Sequence, residues 1–313
     1  MFVVCGEALM DVFVLGETPT GAQLDARIGG SPLNVAIGLA RLGHAVRFFG
    51  GIGNGALGER LIRALQDEGV ATRDVQRSPA PTTLGLVGLS PGGVADYAFY
   101  GEGGADRQLL PEHLHGLAPA QAYHFGSYAM VVEPVGSTLR QLAAQVSAHA
   151  LVAYDINVRL NVEPRIERWR EVLNAMLPHT HLLKLSREDW EHLFGAADPA
   201  PLVATWLDAG PRAVVLTDGA AGCRLFTRNG ALDVPAVPCQ VVDTVGAGDT
   251  LQAAVLSALA DRHLLSPHLL PTLDSAAWQS ILQRAARAAA ITCSRRGADL
   301  PRRAELDALP TKA

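Results

Sequence analysis

Asp243-Thr244-Val245-Gly246-Ala247-Gly248-Asp249 runs straight into Thr250–Ala260, a stretch dominated by Ala, Val and Leu. Small residues just ahead of a helix leave its first amide N–H groups bare and let an anion approach the backbone. Asp249 falls at the helix start, where the positive end of the helix dipole favours a charged carboxylate. A carboxylate beside an anion cradle is the pairing that phosphoryl transfer to a hydroxyl needs. The amides receive the migrating phosphoryl group, and the carboxylate takes the hydroxyl proton. An ordinary Asp cap on a glycine-rich turn has the same local sequence, so the surroundings must decide between the two.

Upstream, strand-like and helix-like segments alternate. Phe2–Cys5, Ala45–Phe49, Ala122–Phe125, Leu151–Tyr154, His181–Lys184 and Ala213–Leu216 read as buried strands. Pro32–Leu42, Leu57–Glu68, Val135–Ala148, Glu167–Leu177 and Arg187–Phe194 read as helices, and Thr250–Ala260 and Ala276–Cys293 follow as two Ala-rich ones. Apolar strands alternating with helices imply right-handed crossovers and a mainly parallel sheet covered on both faces. The expected class is therefore α/β, doubly wound, over a single domain spanning residues 1–313. Val12–Ile28 and Thr82–Tyr100 break the alternation and read as short antiparallel strands, a small β-sheet lid at about 12–28 and 82–100. The tail after Gly297 is polar and reads as a short extension.

The 313 residues are 49% hydrophobic, 18% charged and 5% aromatic, and acidic side chains outnumber basic ones to give a net charge of −5. That balance excludes a disordered chain and makes a nucleic-acid partner a poor fit. No apolar run is long enough to span a bilayer, and Glu7 and Asp11 interrupt the N-terminal apolar stretch. Neither membrane nor nucleic acid is expected as a partner, and a cytoplasmic location is. Cys5, Cys223, Cys239 and Cys293 lie far apart without a C-x-x-C pair and read as core thiols of a reducing compartment. His113-x-His115 and His179-x-His181 read as solvated side chains.

A second glycine-rich helix entry lies at Gly29-Gly30-Ser31-Pro32-Leu33-Asn34-Val35-Ala36. Asn34 falls in its first turn, placed to hydrogen-bond a polyol, and Asp11 is a matching carboxylate. Gly53-Asn54-Gly55-Ala56-Leu57-Gly58 matches a dinucleotide fingerprint, but a strand and helix precede it and no convincing second strand follows. Its glycines read as close backbone packing at a turn.

These two glycine-rich stretches, in this order and far apart in the chain, resemble the paired signatures of the ribokinase/PfkB carbohydrate kinases. Gly29 to Ala36 with Gly43 and Gly53 is similar to the first, and Asp243 to Leu256 to the second. Within the family, Gly6-Glu7-Ala8-Leu9-Met10-Asp11, Gly104-Ala105-Asp106-Arg107 and Asp155-Ile156-Asn157-Val158-Arg159 look like the bacterial fructokinases. The resemblance implies an ATP-dependent sugar kinase, with D-fructose phosphorylated at its 6-hydroxyl. 2-Keto-3-deoxygluconate, ribose or a nucleoside are alternative acceptors, and a sugar-binding regulator without catalysis is the alternative of another class. It implies Asp249 as the base, the amides of Gly246, Ala247 and Gly248 as anion hole, and Asp11, Gly30, Asn34, Asp106 and Asn157 at the sugar. Arg159, placed with Asp155 and Asn157 on one side of an extended segment, is expected to pair with phosphate in a forked geometry.

Thr217-Asp218-Gly219 and Gly222 resemble the nucleotide loop. Asp243, with carbonyls around Val245 and Thr292–Gly297, matches a monovalent-cation site that would take K⁺. Asp189, in Ser186-Arg187-Glu188-Asp189, stands where relatives order Mg²⁺ through water, Mg²⁺ being the metal expected with ATP. Apolar alternation in the projecting strands implies a lid-to-lid homodimer.

Overall fold

The computed structural model describes residues 1–89 and 95–308, and side chains for all of these except 87–89 and 95–97. In chain order the elements begin with β1 (Phe2–Cys5), β2 (Leu9–Thr18), β3 (Gly21–Gly29), α1 (Ser31–Arg41), β4 (Val46–Phe49), β5 (Gly51–Gly53), α2 (Ala56–Asp67) and β6 (Gln76–Ser78). Next come β7 (Leu84–Leu89), β8 (Ala95–Tyr100), β9 (Ala122–Gly126), α3 (Val135–Val146), β10 (Leu151–Asp155), α4 (Ile166–Met176), β11 (Leu182–Ser186) and α5 (Arg187–Phe194). The last third holds α6 (Pro199–Ala209), β12 (Ala213–Thr217), β13 (Cys223–Thr227), β14 (Gly230–Val234), α7 (Ala247–Asp261), α8 (Ser275–Cys293) and α9 (Arg303–Ala308).

The main sheet has eight strands in the order β14-β13-β12-β11-β10-β9-β1-β4, parallel from β4 to β12 and antiparallel at β13 and β14. Alternate residues of each strand feed opposite cores. Phe2, Val4, Ala122, Leu151, Ala153 and Val215 face α1, α2, α7 and α8. Val3, Cys5, Phe125, Val152, Tyr154 and Leu183 face α3, α4, α5 and α6. Strands buried on both faces need continuous apolar sequence, which is what these short segments supply. Every residue of β1, β4, β9 and β10 is buried.

The doubly wound α/β expectation holds, and so does a small second sheet. Its order is β3-β2-β7-β8, with β2 and β7 parallel and the two outer pairs antiparallel. It is therefore mixed, and it begins at Leu9, earlier than the sequence suggested. The tip of the second lid segment, residues 90–94, lies outside the described residues. Further differences follow from weak local signals. The β13–β14 hairpin is half exposed and reads as turn sequence. The polar tail carries α9, whose Leu306 is buried in the core. Cys239 is exposed rather than core, and His181 is buried, its Nδ1 accepting the Val152 amide at 3.0 Å. Gly58 packs where a Cβ would lie 1.9 Å from the Gly53 carbonyl oxygen, so the fingerprint-like glycines serve backbone contact.

Two helix starts face each other across one end of the sheet. α1 follows directly from β3 of the small sheet, and α7 packs against both α1 and α8. The close approach of α1 to α7 depends on Gly38, where a Cβ would lie 2.9 Å from the Ala253 Cβ and 2.4 Å from Leu300 Cδ2. Arg27 on β3 reaches the Gly297 turn, placing the small sheet beside the loop that ends α8.

Candidate active site

Helix α7 starts at Ala247, with Gly246 in left-handed conformation (φ 79°, ψ 0°) as its cap. Asp249 is consequently the third residue of the helix, not its cap, and its side chain is turned inward and buried. Its Oδ1 accepts the Ser31 hydroxyl at 2.6 Å and its Oδ2 accepts the Asn34 side-chain amide at 2.8 Å. The starts of α1 and α7, more than 200 residues apart in the chain, thus converge on one carboxylate. The Ala247 N–H donates to the Thr244 carbonyl at 3.2 Å, and no backbone acceptor among the described residues pairs with the Gly246 or Gly248 N–H. Those amides remain available to an anion. Only glycine fits at 246, because a Cβ there would lie 2.6 Å from Ala298 Cβ and 2.9 Å from Ala298 Cα.

Beneath this helix start lies a cationic side chain that carries no local signal in the chain. Lys184 on β11 is buried and its Nζ donates to Asp155 Oδ2 at 2.6 Å. The Lys184 Nζ also lies 3.4 Å from where a Cβ of Gly248 would be. Parallel register puts Asp155 beside Lys184 on adjacent strands. Burial pushes the Asp155 carboxyl up to about 6 even against the neighbouring ammonium. His124 lies fully buried close by, 3.4 Å from Gln252 of α7, and burial together with Lys184 lowers it to about 3, so it is neutral. The site therefore joins open amides, a fixed positive charge and a carboxylate, which is the equipment for binding a phosphoryl group next to a proton acceptor.

The small sheet brings a second carboxyl within electrostatic reach of Asp249. Asp11 on β2 is flanked by glycines on both neighbouring strands. A Cβ at Gly29 would lie 2.2 Å from its Oδ2, and one at Gly85 would lie 2.9 Å from its Oδ1. Burial pushes Asp11 up to about 6, opposed by the Arg159 guanidinium and assisted by Asp249. Gly30 (φ 107°) comes so close to the chain after β1 that a Cβ would lie 2.7 Å from the Glu7 carbonyl oxygen.

With this geometry the comparisons become specific. The model of the pfkB family of carbohydrate kinases matches residues 1–305. This chain belongs to that family. It is 34% identical over 278 residues to a fructokinase of Rhizobium leguminosarum bv. trifolii, covering 88% of this chain and 85% of that protein. It is 30% identical over its whole length to a probable fructokinase-4 of Arabidopsis thaliana, of which 94% is covered. Among solved structures, the ATP-bound fructokinase of Xylella fastidiosa superposes with a TM-score of 0.88 at 27% identity, over 97% of this chain and 96% of that one. The chain is an ATP-dependent sugar kinase of this family.

The remaining expected positions fall as follows. Asp106 is buried in a 3-10 turn and faces inward, accepting from Thr83 at Oδ1 and from the Tyr128 hydroxyl at 3.0 Å. It latches the approach to β7 onto the core. The extended alternation expected for Asp155, Asn157 and Arg159 stops after Asp155, because Asn157 has φ 44° and the chain turns. The Asn157 side-chain nitrogen is buried without a partner among the described residues, and Arg159 bears electrostatically on both Glu7 and Asp11. Thr217 ends β12 beside Ser186, and Gly219 and Gly222 shape the turn after it with positive φ. Asp243 accepts the Val245 amide at 3.0 Å and the Gly297 amide at 2.8 Å, pinning the loop before α7 to the end of α8.

Asp189 is half of a capping box on α5. Its Oδ2 accepts the Ser186 amide and hydroxyl, each at 2.7 Å, and its Oδ1 accepts the Val158 amide at 2.7 Å. Sequence reasoning missed Ser31, Lys184, His124, Thr83 and Tyr128. Ser31 lay inside the first glycine-rich stretch and could have been found there; the others carry no local signal.

Proposed function

We propose that this sugar kinase is a fructokinase, transferring the γ-phosphoryl group of ATP to the 6-hydroxyl of D-fructose to give fructose 6-phosphate and ADP. The observation that carries the reading is the convergence of Ser31 and Asn34 from α1 on Asp249 of α7. The choice of sugar rests on the fructokinases to which the chain is similar.

Asp11, Gly30 and Asn34 would hold the sugar hydroxyls. The reacting hydroxyl would replace the Ser31 donor at Asp249 and give its proton to that carboxylate as its oxygen bonds to phosphorus. The Gly246 and Gly248 amides, with Lys184 beneath them and Arg159 opposite, would neutralise charge on the phosphoryl oxygens as the bond to ADP breaks. Thr217, Gly219 and Gly222 would line the nucleotide. The small sheet would close over the sugar as a lid and keep water from competing as nucleophile.

Mg²⁺ would enter with the nucleotide phosphates rather than on a protein cluster. Asp189 would meet it through water, since its Oδ1 takes only the Val158 amide and keeps a lone pair, and no group of three His, Cys, Asp or Glu side chains among the described residues is placed to hold a metal. K⁺ would sit between Asp243 and the carbonyls around Val245 and residues 292–297, since each Asp243 oxygen takes one amide bond and keeps a lone pair. A homodimer formed lid to lid would cover the exposed Val14, Leu15 and Leu24 of β2 and β3. Free thiols fit a cytoplasmic location.

The test is ADP release from Mg²⁺-ATP with fructose, 2-keto-3-deoxygluconate, ribose, glucose and adenosine, with and without K⁺. Selective turnover of fructose supports the proposal. Preference for another acceptor discards fructose and retains Asp249 as base, and tight sugar binding without turnover discards catalysis.

A further inference from the structure

Glu7 is a carboxyl in the one place where the reaction uses none. It follows β1 directly, interrupts an otherwise apolar N-terminal run, and is 1% exposed. Its Oε2 is buried and without a hydrogen-bond partner among the described residues. The backbone around it is packed to contact on the acceptor side. Gly6 (φ 143°) would drive a Cβ to 2.5 Å from Pro32 Cγ, and the Glu7 carbonyl oxygen lies 2.7 Å from a Cβ built on Gly30. Gly30 and Pro32 open α1, so Glu7 forms the layer behind the residues that carry Asn34 and Ser31.

On its other side Glu7 meets a strained turn. Ser127, just after β9, has φ 59° and ψ −161°, a region that residues other than glycine almost never occupy, and it is buried. Its amide donates to the Asp155 carbonyl at 3.1 Å, and its side chain lies near the Glu7 carboxyl. A non-glycine residue persists in such a conformation only when its surroundings over-determine it. Here those surroundings are the ends of β1, β9 and β10, the edge at which ligands bind in a sheet of this kind.

From this we infer that Glu7 is a positioning residue for the acceptor site, one that sets sugar affinity from behind Gly30 without touching the sugar. The charged groups bearing on it are Asp106 in the 3-10 turn and Arg159 in the loop after β10, and the Tyr128 hydroxyl lies beside the former. Burial, seconded by Asp106, pushes its carboxyl up to about 8 against Ser127 and Arg159. It therefore faces Ser127 as a neutral acid at neutral pH. Above that value an uncompensated charge beside Asp106 would loosen the Ser127 turn and, through Gly30, the sugar-binding end of α1. The inference rests on the sugar-kinase reading of the site.

The experiment compares Glu7→Gln and Glu7→Ala with the wild type in kcat, fructose KM and ATP KM from neutral to alkaline pH. The wild type should lose fructose affinity as pH rises through about 8. E7Q, neutral and of the same shape, should keep wild-type constants at neutral pH and lack that rise. E7A should raise fructose KM by about tenfold or more, with kcat and ATP KM little changed, because a lost positioning contact weakens ground-state and transition-state binding alike. An E7Q enzyme with the same alkaline rise as wild type overturns the inference, as does an E7A enzyme that loses thermal stability with fructose KM intact. Should E7A fail to fold, the E7Q profile decides alone. If the wild type turns over no sugar, the kinase reading fails separately. Calorimetric sugar binding to wild type and E7Q over the same pH range then tests Glu7 by itself.

Discussion

At the scale of single residues, Asp249 and Asp11 carry distinct and separable expectations. Asp249→Asn keeps the volume, and its amide oxygen can still accept from Asn34 while its amide nitrogen donates to the Ser31 hydroxyl, but it cannot take a proton. It should retain the far-ultraviolet spectrum and melting temperature and lose about 10²–10⁴ in kcat, the usual contribution of a general base; a kcat near wild type would remove Asp249 from the proton transfer. Asp11 is a carboxyl raised by burial to about 6. If its charged form accepts sugar hydroxyls, kcat/KM for fructose should fall as pH drops below about 6, with kcat less affected. The effect on stability has the opposite sense. Below the unfolded value of 3.8 both states are protonated and Asp11 costs nothing, whereas between that value and about 6 only the unfolded state releases the proton. Stability should therefore decline as pH rises through this window, and denaturation midpoints of wild type and Asp11→Asn should diverge across it.

At the scale of elements, the site depends on how closely α1 and α7 approach. Gly38 is the contact point, with Ala253 and Leu300 occupying the space a side chain would need. Gly38→Val should destabilise the fold by about 1–3 kcal/mol through overpacking, read from urea unfolding. By separating Ser31 and Asn34 from Asp249 it should lower kcat as well. Gly246→Ala tests the other helix end. A left-handed φ and a Cβ placed against Ala298 backbone both oppose it, so it should lower both the melting temperature and the affinity for ATP. Unchanged ATP affinity in a folded Gly246→Ala protein would argue against the α7 start as the phosphoryl cradle.

At the scale of the whole molecule, the small sheet runs from Asp11 out to the surface. Asp11 lies at its buried end and Val14, Leu15 and Leu24 at its exposed end, the last of these 54% accessible. Apolar side chains clustered there are costly in a monomer. Leu24→Glu with Val14→Glu should convert a sedimenting dimer to monomer and raise fructose KM, since the lid would lose its support. A wild-type protein that sediments as a monomer at micromolar concentration would discard the lid-to-lid dimer.

The amino-acid sequence by itself determined the alternation of strands and helices and the two glycine-rich helix starts, and it singled out Asn34 and Asp249, which the fold brings together. Each of these rests on local chemistry: apolar runs that must be buried on two faces, and glycines where a backbone turns or an anion approaches. A local rule extended past its element does not hold, as at Asn157, whose positive φ ends the extended alternation. Tertiary structure alone decided which side chains share a space. Lys184 reaches the α7 start because parallel register places it against Asp155. Asp189 is held by Ser186 and Val158 because α5 begins where β11 ends. Glu7 meets Ser127 because β1 and β9 are neighbours in the sheet, although more than 100 residues lie between them. Such contacts leave no periodicity and no spacing in the chain, since they arise only when separate strands are laid side by side.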